Sequence, residues 1–193
     1  MTKASGRAWL MMALGTALAA CGESGEPPLV AEEVLQLNQE ANQVVFGLTH
    51  WVTSEGVRRA QVEADTAFFI EDEATVELRK MRVLFFDVAG DTTSILTARE
   101  GEYDWNTQNM VAERDVVVVN PKDGRRVETS VLHYNRTEDR IWGDQPTKIF
   151  EPDGMITEGT AFETDSRMDR VQITSPRMVR PGTQPQRERQ DEV

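Results

Sequence analysis

Val62-x-Ala64-x-x-Ala67-x-Phe69, Leu96-x-Ala98-x-x-Gly101-x-Tyr103 and Val127-x-Thr129-x-x-Leu132-x-Tyr134 are three copies of one step, and their spacing decides the fold. In a β-strand, residues two apart share a face. Val62 and Ala64 therefore point one way, and so do Ala67 and Phe69. The two pairs are offset by an odd number, so a straight strand would turn them to opposite faces. A bulge or corner between them lets both pairs face inward. Small residues beside it (Ala64, Ala98, Gly101) let the backbone approach its neighbour.

The step recurs behind evenly spaced glycines, Gly56, Gly90 and Gly124, with Gly154 opening a looser fourth copy, Gly159-x-x-Phe162-x-Thr164. Turn residues punctuate the same region: Ser54-Glu55-Gly56, Glu71-Asp72-Glu73, Ala89-Gly90-Asp91, Asn106-Thr107, Asn120-Pro121-Lys122-Asp123-Gly124, Thr137-Glu138-Asp139, Glu151-Pro152-Asp153-Gly154 and Asp165-Ser166. Such residues tolerate turn dihedrals or bond back to the chain. They bound nine expected strands between residues 44 and 175, of about 10–13 residues where about 5–6 is usual. The expected class is all-β: bent antiparallel hairpins stacked into one folded slab with an apolar inside.

Around this region the chain changes character. Residues 8–20 carry no charge and follow Lys3 and Arg7. They are too few to span a bilayer, which needs about 20, and suit the core of a secretory signal. Leu18-Ala19-Ala20-Cys21 closes the segment and resembles the bacterial lipobox, with Cys21 the residue that takes the lipid. Cys21 is the one cysteine of the chain, so no intramolecular disulfide forms. Residues 1–20 then form a lipoprotein signal peptide, and 21–43 a lipidated start, a Gly/Pro tether and a short helix from Ala31. Residues 44–175 form the β domain, and residues 176–193, with Pro181, Gly182 and Pro185, a flexible tail. The net charge is −12, with 33 acidic residues against 21 basic, which argues against nucleic acid.

The repeated step, Asn120-Pro121-Lys122-Asp123-Gly124 and Thr129-Ser130-Val131-Leu132-His133-Tyr134 together resemble the OstA-like family of lipopolysaccharide transport, and most of all its LptC branch. The resemblance spans about residues 44–175. It implies a β-jellyroll whose apolar groove holds acyl chains. It also implies that an inner-membrane ABC exporter hands lipopolysaccharide to this chain, which passes it to a like-folded periplasmic bridge protein by edge-strand pairing. The family begins with a transmembrane helix, whereas a lipobox stands here. The location implied is periplasmic, at the inner membrane by family. Gly22, in place of the aspartate that marks inner-membrane retention, allows the outer membrane.

No catalytic constellation stands out. His50 and His133 lie in no metal-ligand spacing, and there is no phosphate loop or nucleophile elbow. No cofactor or metal is expected, and no enzyme. The candidate groove residues are Phe69, Phe85, Leu96, Tyr103, Val116, Val118, Leu132, Tyr134, Ile141 and Phe162, with Leu96, Tyr103 and Leu132 expected in one row. A closed core is the plain alternative, since apolar strand faces build cores everywhere. The chain would then be a scaffolding lipoprotein that binds proteins by its strand edges. Val171 and Ile173, the last apolar alternation, are the candidate partner edge.

Overall fold

A computed structural model describes residues 41–70 and 74–179. The expected signal peptide, Cys21, the tether, most of the short helix, the turn at 71–73 and the end of the tail lie outside the described residues. Six long strands follow one another as a meander: β1 (Ala41–Ser54), β2 (Val57–Ile70), β3 (Thr75–Phe86), β4 (Thr92–Asp104), β5 (Met110–Val119) and β6 (Arg126–Asn135). Six short ones complete the sheet: β7 (Arg140–Gly143), β8 (Thr147–Phe150), β9 (Ile156–Gly159), β10 (Ala161–Thr164), β11 (Gln172–Thr174) and β12 (Arg177–Val179). All pairings are antiparallel.

The twelve strands are nine bent ones. β6 pairs β7 through residues 133–135 and β8 through residues 126–128. β10 continues the sheet beyond β7, and β9 continues it beyond β8. β11 then pairs β10, and β12 pairs β9. Thus β7 with β8, β9 with β10, and β11 with β12 are each one strand interrupted midway. The interruptions fall at residues 144–146, at Thr160 and at Ser175-Pro176.

One crease runs through the long strands on the same line. Gly47 sits between the pairs Phe46↔Thr66 and Leu48↔Ala64. Lys80 sits between Arg79↔Glu100 and Met81↔Ala98. Arg114 and Asp115 sit between Glu113↔Val131 and Val116↔Thr129. All four have positive φ: 66° at Gly47, 51° at Lys80, 61° at Arg114 and 54° at Asp115. Three of them carry a Cβ, for which the left-handed region costs about 1–2 kcal/mol per residue.

What the crease gains is two apolar faces in place of one. On one side of it Val62, Ala64, Leu96, Ala98 and Val127 are buried, and on the other Ala67, Tyr103, Leu132 and Tyr134. The odd offset in the repeated step is the crease, seen from the side chains. Phe85 on one half meets Tyr134 on the other, with ring centroids 5.0 Å apart. At the bend, a Cβ on Gly101 would lie 2.7 Å from the Val111 carbonyl oxygen, so only glycine fits. Ion pairs bridge neighbouring strands along the same line: Lys80–Asp65 at 3.0 Å, Arg99–Asp115 at 2.5 Å and Arg114–Glu100 at 2.8 Å.

Two expectations are corrected at the ends. The strand begins at Ala41, so residues 41–43 belong to β1 and not to a helix. β12 lies at Arg177–Val179, inside the stretch read as tail from Pro176. Pro176, in the break between β11 and β12, demands no ladder N–H there.

Candidate functional site

The interior of the folded slab is the candidate site. Phe85, Leu96, Tyr103, Val116, Val118, Leu132, Tyr134, Ile141 and Phe162 all belong to its buried apolar cluster. Phe69 packs against that cluster but stays half-buried, while its neighbour Phe68 is buried instead, beneath the Arg79 guanidinium at 5.7 Å from its ring. Leu96, Tyr103 and Leu132 do not share a row. Leu96 is linked by register to Val83 and Val62, Leu132 to Ala112 and Gly101, and Tyr103 to Val76 and Phe69. Rows join equivalent positions of the repeat, and these three residues occupy three different positions in it.

Opposite the crease, the two halves meet along a seam. At the β1 side, His50 lies 4.3 Å from Trp105 and 5.4 Å from Tyr103, centroid to centroid, and Phe69 stacks on Trp105 at 5.9 Å. His50 Nε2, the Tyr103 hydroxyl and Trp105 Nε1 are buried there with no hydrogen-bond partner in the protein. Burial lowers the His50 pKa and pushes that of Tyr103 up to about 12, so both side chains are neutral at pH 7.

Further along, a strap closes the seam. Residues 165–171 leave β10, cross from one half to the other and return to β11. The Asp165 side chain accepts hydrogen bonds from the N–H groups of Arg167 and Asp169, at 3.1 and 3.0 Å, which folds the strap into a tight turn. Side chains of the facing half then bond its carbonyls. Thr93 and Ser94 hydroxyls donate to the Ser166 carbonyl at 3.1 and 2.7 Å, Asn120 Nδ2 to Arg167 at 3.3 Å, and Arg125 Nη1 to Met168 at 3.1 Å. Met168, at φ 58°, is fully buried in the apolar cluster. Nothing in the sequence marks this strap beyond the turn pair Asp165-Ser166.

Val171 precedes β11 by one residue and Ile173 lies within it, both partly buried against the core. Among the described residues, β11 and β12 form one edge of the slab, and β1 the other. Among the described residues there is no group of three His, Cys, Asp or Glu side chains placed to hold a metal ion. No helix there is long and apolar enough to cross a membrane.

An antiparallel sheet folded once on itself and apolar within defines a β-jellyroll slab. The chain belongs to the LptC-related lipopolysaccharide-assembly family, whose sequence model matches residues 10–177. It is accordingly a component of lipopolysaccharide transport, associated with the periplasmic side of the envelope, in a family that is not known for catalysis. No curated protein matches the chain.

Proposed function

We propose that this chain carries lipopolysaccharide without chemistry. It receives the lipid from an inner-membrane ABC exporter, holds acyl chains between the two apolar halves, and passes them to a like-folded bridge protein at a strand edge. Cys21 anchors it to the membrane face. The observation that carries the reading is the crease: the chain accepts three Cβ-bearing residues at positive φ to bring two apolar faces together. Burial at about 25 cal/mol per Å² would supply the affinity. Acyl chains would enter at the seam beside Trp105, where His50 of one half meets Tyr103 and Trp105 of the other through ring contacts.

A second reading is favoured by the packing. Leu132, Ile141 and Phe162 are at most 3% exposed, as expected of a plain core and a scaffold that binds proteins by its edges. Photo-crosslinkers placed in cells at Phe69, on the seam, and at Phe46, which is 78% exposed, separate the two. Lipopolysaccharide captured at Phe69 and not at Phe46 supports the carrier. Proteins captured at either position, with no lipid at Phe69, would leave the scaffold.

A further inference from the structure

Beside the strap, the seam holds a cavity of about 360 Å³ whose wall includes Arg59, Arg136 and Arg167, together with Tyr134, Phe86 and Asp139. That volume is in the range of about 300–1,000 Å³ usual for small-molecule sites. The three arginines come from different places: Arg59 from β2, Arg136 from the turn after β6, and Arg167 from the strap. Among the described residues, none of the three forms an ion pair, while Arg82, Arg99, Arg125, Arg140 and Lys148 all do. A chain of net charge −12 thus lines one cavity with three arginines and a single acidic residue, Asp139. Like charges so placed repel. Each guanidinium also keeps a planar fork of N–H donors suited to a doubly charged oxyanion. The strap places Arg167, whose carbonyl accepts from Asn120 Nδ2, in the wall of this cavity and of a neighbouring one beside Asp87 and Asp169.

We propose that this cavity binds a phosphate group, on a monoester or free, with Arg59, Arg136 and Arg167 as its donors. For a phosphate carried on a lipid head group, this rests on the carrier reading above. The acyl chains would then lie in the interior behind Tyr134 while the phosphate is held at the seam. For free phosphate it stands alone.

The test uses the full chain in mild detergent with three probes: lipopolysaccharide, the same lipopolysaccharide after phosphatase treatment, and inorganic phosphate. Binding is measured for the wild type, for Arg59→Gln, Arg136→Gln and Arg167→Gln singly and combined, and for Lys148→Gln as an outer-face control. Circular dichroism melts confirm that each variant is folded. Each arginine should contribute about 10-fold in affinity for a phosphate-bearing probe, as hydrogen bonds between charged partners do. The control should bind like wild type, and dephosphorylated lipid should bind the wild type and the triple variant alike. Arginine-dependent loss with lipopolysaccharide alone assigns the site to the head group; the same loss with inorganic phosphate assigns it to free phosphate. If the folded triple variant binds both phosphate-bearing probes as the wild type does, the site is refuted and the carrier reading survives. If the wild type binds no lipopolysaccharide but binds phosphate through these arginines, the carrier reading fails and the site survives. If the wild type binds neither phosphate-bearing probe, both are refuted.

Discussion

Met168 offers a test in which alanine and glycine should reverse their usual order. Its side chain is fully buried in the interior, yet it sits on a strap at φ 58°, where a Cβ is strained. Truncating a buried methionine to alanine costs about 2–5 kcal/mol. The hydrogen bonds that hold the strap are made to its backbone carbonyls and survive the change, so about 2–3 kcal/mol is expected for Met168→Ala. Met168→Gly loses the same packing but is relieved of about 1–2 kcal/mol of left-handed strain, against about 0.5–1 kcal/mol of extra chain entropy. The glycine variant should therefore be the more stable of the two by about 0.5–1 kcal/mol. Urea titration followed by tryptophan fluorescence measures both. In a thermal melt, the alanine variant should lie about 5–10 °C below wild type. A glycine variant less stable than the alanine one, or two variants as stable as wild type, would show that the strap does not plug the interior.

Gly101→Ala should destabilise the fold by about 1–3 kcal/mol in the same titration, because the new Cβ meets the Val111 carbonyl at 2.7 Å where the strands turn; unchanged stability would mean that the crease has room. Stability should also fall with alkali. Tyr103 ionises near 10 in the unfolded chain and at about 12 when folded, so the unfolded state loses its proton first and stability drops across that interval. Burial raises Tyr134 as well, so Tyr103→Phe should make that part of the pH–stability curve shallower without abolishing it, and an unchanged slope would remove Tyr103 as a source. Cys21→Ser should release the protein from membranes or block its processing, and a variant that still fractionates with membranes at wild-type size would rule out the lipid anchor.

The crease was legible because side-chain phase is a one-dimensional signal. Two apolar pairs an odd number apart cannot share a face unless the strand bends between them, and Val62, Ala64 and Ala67 show this without coordinates. The nine bent strands were legible for the same reason, although three are interrupted at the bend by Pro146, Thr160 and Pro176. The strap was not. Its turn pair resembles any other, and Met168 is a lone apolar residue in a charged stretch. Nor were Arg59, Arg136 and Arg167, which lie on three separate segments that only the closing of the seam brings together. Leu96, Tyr103 and Leu132 were misplaced in one row because the rows follow positions of the repeat, not the succession of its copies.

The meander has a consequence for how such a domain grows and folds. From β1 to β6 each strand pairs with the one that follows it, so the slab is close to a one-dimensional array in which each hairpin rests on its neighbour. Its cross-section is set by the step, and its length by the number of hairpins. A duplication or deletion of one unit would change the length and leave the architecture intact. An array of this kind is prone to peel from its ends. The strap opposes that, because its hydrogen bonds join residues 43 to 73 positions apart and tie the last hairpin to the middle of the array. Melting of the C-terminal strands is thereby coupled to melting of β4 to β6, and the domain gains the cooperativity that stacked hairpins alone lack.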